Sequence, residues 1–183
     1  MIHFTLNHEE IALLKSLIGK KLLYLRHDSF DKFGRELVYG RVEMFFEDQI
    51  IMLKYYYEPF NLFEYPDDHP KFSIKVINEC EAVSALQNTE QINIRYDRII
   101  KGICMAEDLS EMKGEGKSDT VHLLKAIIIE FEDEQIMFQG DYMMPLIEFY
   151  KGENVIENLL PPGDEFADDP DLKLTAKRLL VQL

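Results

Sequence analysis

The chain has 183 residues, of which 46% are apolar and 30% are charged, as in an ordinary globular protein and unlike a disordered one. Its 34 acidic and 20 basic residues give a net charge of −14. This charge removes the electrostatic attraction on which binding to nucleic acid or to an anionic membrane surface depends, and it favours a basic protein partner. The alternative is that the acidity only keeps the protein soluble.

The cysteine content and the N-terminal residues indicate a cytoplasmic protein. Cys80 and Cys104 lack the short spacing of a metal-binding or redox pair, so we expect reduced thiols. The first residues lack the pattern of a signal peptide, and no apolar run is long enough to span a bilayer, so no membrane association is predicted.

The first predicted element is a helix that begins after Asn7, a residue able to cap it. Ile11, Leu14 and Leu17 follow helical spacing along one face, and Gly19 predicts the end of the helix.

A β-hairpin is predicted to follow. Residues 22–25 are strand-like, residues 27–34 are predicted as a polar loop, and residues 38–46 alternate as a strand. Glu47 and Asp48 form an acidic turn, after which residues 49–57 return as a second strand.

The middle of the chain mixes turns and extended segments. Residues 66–70 read as a turn, residues 72–77 as a strand, and residues 91–96 as extended chain. Residues 79–86 are compatible with helix or strand. Residues 110–118 read as a polar, mobile loop.

The C-terminal region is predicted to be an acidic loop followed by a helix. Asp171 is a possible cap for that helix, and Leu172, Ala176, Leu179 and Leu183 follow helical spacing.

A segment of the hairpin recurs 85 positions later. Residues 46–53 and residues 131–138 are identical at five of eight positions, including Phe-Glu-Asp at the turn and a following Ile-Met. Upstream, residues 18–25 align only weakly with residues 99–106. The alternative is that two amphipathic hairpins resemble each other because they meet the same structural needs.

The predicted fold class is α+β, predominantly antiparallel β-sheet, built from two tandem, diverged hairpin-containing units with helices near the termini. The units are assigned to residues 1–88 and 89–183, packed as one globular body. The alternative is a single closed or half-closed barrel formed jointly by the halves.

No motif in the chain names a reaction, so no catalytic residue, metal ligand or cofactor is predicted. Gly116-Lys117-Ser118 lacks the first glycine of a phosphate-binding loop. The five histidines never form the helical pair that binds zinc.

Two sets of residues are candidates for a functional site. The first is the pair of acidic turns, Glu47-Asp48 and Glu132-Asp133, which would bind a cation or supply acid catalysis if the halves bring them together. The alternative is that both turns simply face water.

The second set is an aromatic run that forms a candidate binding surface if it is exposed, and sheet core if it is not. Its members are Tyr55, Tyr57, Phe60, Phe63 and Tyr65.

Two functions remain in competition. One is a non-catalytic protein-binding or regulatory module for a basic partner. The other is a small-molecule or metal-binding protein, or an enzyme, with a pocket between the two halves. A homodimer that uses hairpin edges is a further possibility.

Overall fold

The computed structural model describes residues 1–32, 35–78, 91–114, 116–141, 146–166 and 173–183, and its description of side chains excludes those at 29–32, 35–36, 39, 65 and 165. The helix and the strands are, in chain order, β1 (Ile2–Phe4), α1 (His8–Ser16), β2 (Lys21–Lys32), β3 (Arg35–Phe45), β4 (Ile50–Leu62), β5 (Tyr65–Ile77), β6 (Ile92–Ile99), β7 (Gly102–Gly114), β8 (Lys117–Glu130), β9 (Gln135–Asp141), β10 (Leu146–Gly152) and β11 (Lys173–Gln182). The protein is therefore mostly antiparallel β-sheet.

Helix α1 begins where the sequence predicts. The Asn7 side chain accepts a hydrogen bond from the Glu10 amide at 3.0 Å, and the Glu10 carboxylate accepts one from the Asn7 amide at 2.9 Å, which together form a capping box. Leu14 is fully buried against the sheet. Gly19 adopts a φ of 84° after the helix, a conformation that favours glycine.

The strands form two meanders with the same order. The first meander consists of β2, β3, β4 and β5, each paired with the next, and β6 pairs with the free side of β2. The second consists of β7, β8, β9 and β10, and β11 pairs with the free side of β7.

The central hairpins of the two meanders also share their register. Met44 lies opposite Ile51 in the first, and Ile129 lies opposite Ile136 in the second. The separations 129 − 44 and 136 − 51 both equal 85 residues. The Phe46 amide, which follows β3, donates a hydrogen bond to the carbonyl three residues later at 3.0 Å. The Phe131 amide, which follows β8, makes the same hydrogen bond at 2.8 Å.

Two junctions join the meanders across the predicted boundary between the halves. β10 pairs with the first part of β3, and β1 pairs in parallel with the first part of β8. β5 contacts both β1 and β8. β6 belongs to the second half of the sequence but pairs with β2 of the first half. The sheet around each meander therefore contains strands from both halves of the sequence. The predicted seam near residue 88 lies outside the described residues.

One large apolar core fills the space between the meanders. It takes the inward side chains of both central hairpins together with the buried face of α1. Its fully buried members include Leu14, Val42, Ile51, Ile129 and Phe138.

The predicted C-terminal helix is wrong, because residues 173–182 form β11. Among the described strands, β11 is paired on one side only, and its exposed neighbours Leu179 and Leu180 break the period of two. The helical spacing of Ala176, Leu179 and Leu183 is coincidental.

Three predicted loops are also wrong. Strand β2 continues through residues 27–32, and β7 and β8 occupy most of residues 110–118. Residues 66–70 lie within β5, and the hairpin turns instead at Phe63 and Glu64. The polar residues in these stretches mislead because several of them, such as His27 and Ser110, are buried within strands.

Candidate functional site

The two acidic turns lie at corresponding positions at the tips of the central hairpins. Glu47 and Asp48 connect β3 to β4, and Glu132 and Asp133 connect β8 to β9. All four side chains are exposed. Among the described residues no group of three or more His, Cys, Asp or Glu side chains is arranged to hold a metal ion.

The aspartate of each acidic tip pairs with a nearby cation. Lys20 Nζ lies 2.6 Å from Asp48 Oδ2, and this hydrogen bond lowers the pKa of Asp48 from its ordinary value. At the second tip Arg98 pairs with Asp133 and, at 3.3 Å, with Glu134.

A cleft of about 510 Å³ opens beside the second acidic tip. Its lining carries both signs of charge together with two apolar side chains, and every lining residue belongs to the second half of the sequence. The lining residues are Asp97, Arg98, Ile99, Lys101, Phe131, Glu132 and Asp133.

The aromatic run is divided between the core and the surface. Tyr55 is only 5% exposed, and its ring contacts that of Phe72 at 4.5 Å, so it belongs to the core. A side chain at Gly140 would overlap the Tyr55 phenol. Tyr57, two residues farther along the strand, is 43% exposed.

The other members of the run lie near the turn of the β4–β5 hairpin. Phe60 and Phe63 are partly buried in a small apolar cluster that includes Phe4. The Phe60 ring meets the Phe4 ring edge-on at 5.1 Å. The main chain of Tyr65 begins β5, and its side chain lies outside the described set.

The turn of this hairpin is fastened to the β7–β8 hairpin. Phe63 and Glu64 have positive φ angles of 50° and 74°, which are unusual for residues other than glycine. The Phe63 amide donates to the Asp119 carboxylate at 2.7 Å, and Lys117 pairs with Glu64 at 2.7 Å. These contacts hold a turn that its own residue types disfavour.

A second cleft, of about 330 Å³, lies on the same hairpin. Its walls are Pro59, Phe60, Asn61 and Pro66, and its acidic side is formed by Asp67 and Asp68, which are both exposed. The Asp68 amide donates to Asp67 Oδ1 at 2.8 Å, which orders the Asp67 carboxylate. We refer to residues 57–69 as the arm.

His69 lies where the arm enters the apolar cluster. Its ring packs against those of Phe4 at 4.7 Å and Phe166 at 5.8 Å. Burial, together with the nearby charge of Lys125 and against the opposing charge of Asp67, lowers the pKa of His69 to about 4. His69 is therefore neutral at pH 7.

Residues 155–166 lie across the outer face of the second meander, and we call them the cover segment. Beneath this segment lies a layer of buried charged side chains that the sequence analysis did not predict. Arg178 makes two hydrogen bonds to the fully buried carboxylate of Asp108, at 2.7 and 2.6 Å, and donates to the Leu160 carbonyl. Lys125 is buried and lies 3.0 Å from Asp164. The one available signal was Lys125 itself, a single charge inside an apolar run.

Comparison of the chain with protein-family models, with curated proteins and with solved structures finds no match. Within the described part of the chain, no helix combines the length and the apolar character needed to cross a membrane.

Proposed function

We propose that the protein is a non-catalytic binding module that recognises a basic segment of a partner protein through the arm. The observation that carries this proposal is the 330 Å³ cleft, whose lining combines Asp67 and Asp68 with Phe60 and two prolines.

This combination of groups suits a lysine or arginine side chain. The aliphatic stem of such a side chain packs against proline and aromatic surface, while its charged end meets the carboxylates and the face of the ring. Neither aspartate forms an ion pair with a described residue, so no cation of the described part of the chain has to be displaced. The net charge of −14 steers a basic partner toward the protein before contact.

The arm is also held in place before binding. Phe60 is fixed by Phe4, and the turn is fastened by Asp119 and Lys117. A preorganised site loses little conformational entropy when a partner binds. Tyr57 extends the same hairpin with an exposed aromatic surface at the edge of the site.

A lysine-rich peptide labelled with a fluorophore tests the proposal by anisotropy at low and moderate salt. We expect Asp67→Asn with Asp68→Asn to weaken binding about tenfold or more, because both carboxylates of the cleft are lost. The matched control is Glu47→Gln with Glu132→Gln, which removes the same charge from the exposed acidic tips. An equal loss in both double variants would mean diffuse attraction to an acidic protein and would overturn the proposal.

A small-molecule site is the second candidate, and the observation that favours it is the 510 Å³ cleft beside Arg98 and Lys101. Its mixed charges suit a small zwitterionic or anionic ligand. A thermal-shift screen of such compounds tests it, with Lys101→Ala as the variant that should abolish any stabilisation. A ligand that stabilises the original chain and the Lys101→Ala variant equally would rule out this cleft as its binding site.

We also propose that the two meanders arose by duplication of one unit. The shared strand order and register support this, and so do the ion pairs at the tips. Lys20 and Arg98 are 78 residues apart, and their partners Asp48 and Asp133 are 85 apart (98 − 20 and 133 − 48). The residue before each cation, Gly19 or Asp97, has a positive φ.

The contact between the two units gives the proposal a geometric test. Lys21 lies opposite Ile99, and these residues are themselves 78 apart (99 − 21). On either side of this pair, Leu22 lies opposite Arg98, and the Ile100 amide donates to the Lys20 carbonyl. Any antiparallel pair has a local twofold axis of this kind; what supports the proposal is that its offset of 78 equals the separation of Lys20 and Arg98. A superposition of the meanders that fails to place Lys21 on Ile99 and Met44 on Ile129 would contradict the proposal.

A further inference from the structure

The outer edge of β11 is long and regular. All ten residues of the strand pair with β7 without a register shift, and among the described strands none pairs with its other side. At the opposite end of the strand order, β6 is interrupted by a register shift and by the positive φ of Asp97. Irregularities of this kind prevent an edge from pairing with another strand. The edge of β11 has no such irregularity.

Two neighbouring leucines of β11 are exposed. Leu179 is 41% exposed and Leu180 is 53% exposed. Successive residues of a strand point to opposite faces of the sheet, so apolar surface is uncovered on both faces at one place. A partner lying on one face would cover only one of the two leucines. A strand added at the edge would cover both.

The exposed charges of β11 are all positive. Lys173 and Lys177 are exposed and share a face with Leu179, and neither forms an ion pair with a described residue. Arg178 is neutralised by Asp108. The strand contains no acidic residue, although the chain as a whole carries a charge of −14.

The acidic residues of β7 that lie nearest to these lysines already have other partners. Glu107 lies 2.8 Å from the His122 ring nitrogen, and Glu111 pairs with Lys113 at 3.4 Å. The edge therefore presents unpaired main-chain groups, two exposed lysines that have no ion-pair partner among the described residues, and two exposed leucines.

From these observations we propose that β11 is a docking edge for an extended acidic segment of a partner protein, which adds to the sheet as a further strand. Main-chain hydrogen bonds along the edge provide affinity, and alternate side chains provide specificity. The partner strand places acidic residues beside Lys173 and Lys177 and an apolar residue beside Leu179.

A second copy of the chain fits this edge less well. Lysines on an edge strand oppose pairing between identical edges, because each copy brings the same charge. An acidic strand turns the same lysines into attractive contacts.

The test uses the full chain and a blocked, fluorescent ten-residue peptide in which glutamate alternates with valine. Binding is followed by anisotropy at about 50 mM salt, and the site is mapped by amide shifts in a ¹⁵N spectrum. We expect saturable binding with shifts concentrated in β11. Lys173→Glu with Lys177→Glu should weaken binding about tenfold or more, whereas the matched control Lys15→Glu with Lys54→Glu should change it less than about twofold.

A second peptide separates strand addition from simple charge attraction. It keeps the glutamates but has proline in place of every second valine. Because proline has no amide hydrogen, this peptide has fewer main-chain hydrogen-bond donors. We expect its binding to be weaker by about tenfold or more. Equal binding of the two peptides, shifts outside β11, or no binding of the first peptide would overturn the proposal. So would concentration-dependent dimerisation of the chain that Leu179→Lys abolishes, because the occupant would then be a second copy.

Discussion

The ion pair between Arg178 and Asp108 provides the most direct test of how the fold is held together. It joins β11 to β7 and fixes the cover segment through the Leu160 carbonyl. In Arg178→Met the methionine retains most of the apolar volume but leaves the Asp108 carboxylate buried without its two hydrogen bonds. Removal of one partner from a buried pair costs about 3–5 kcal/mol. Because small proteins are stable by about 5–15 kcal/mol, this is a large fraction of the total.

Urea denaturation at pH 7, followed by far-ultraviolet circular dichroism, measures the effect as a change in the free energy of unfolding. The control is Lys177→Met at the adjacent exposed position, which should change that free energy by less than about 0.5 kcal/mol. Asp108→Leu combined with Arg178→Met removes both charges and should recover much of the loss, since no unpaired charge remains. A loss below about 1 kcal/mol in Arg178→Met would refute the reasoning.

Three further predictions concern the core and the arm. The pKa of His69 is about 4 against an ordinary 6.5, so as the pH falls the unfolded chain binds the proton before the folded chain does. About 3 kcal/mol of stability is therefore lost between pH 6.5 and pH 4. His69→Phe should reduce this loss, as measured by urea titrations at both pH values. Gly140→Ala should destabilise by about 1–3 kcal/mol through overlap with Tyr55, and a normal urea midpoint would contradict the packing. Glu64→Gly relieves a positive φ and should raise the melting temperature in calorimetry, despite the loss of an exposed ion pair; a lower value would count against strain at this turn.

The elements that the sequence predicts well are those with local signals. Asn7 with Glu10 is a cap that can be read from four consecutive residues, and the alternation around Met44 and Ile51 fixes a hairpin and its inner face. Both need only neighbours in the sequence. The same local rules also give the two acidic turns their positions.

The parts that could not be predicted depend on contacts between distant residues. Lys125 is buried because Asp164, 39 positions later (164 − 125), reaches it from the cover segment. Residues 173–182 form a strand because β7 offers them an edge. Phe63 and Glu64 form a tight turn because Asp119 and Lys117 hold it. No local propensity records such partners.

The proposed binding site lies where the two meanders cease to correspond. β4 and β5 have 13 residues each, whereas β9 and β10 have seven each, so the first hairpin extends well beyond its counterpart. The arm is this extension, and it carries Phe60, Asp67 and Asp68. The residues that repeat, such as Phe46 and Phe131, are core residues whose role is to maintain the sheet. On this view the shared frame supplies stability, and the unshared extension supplies recognition.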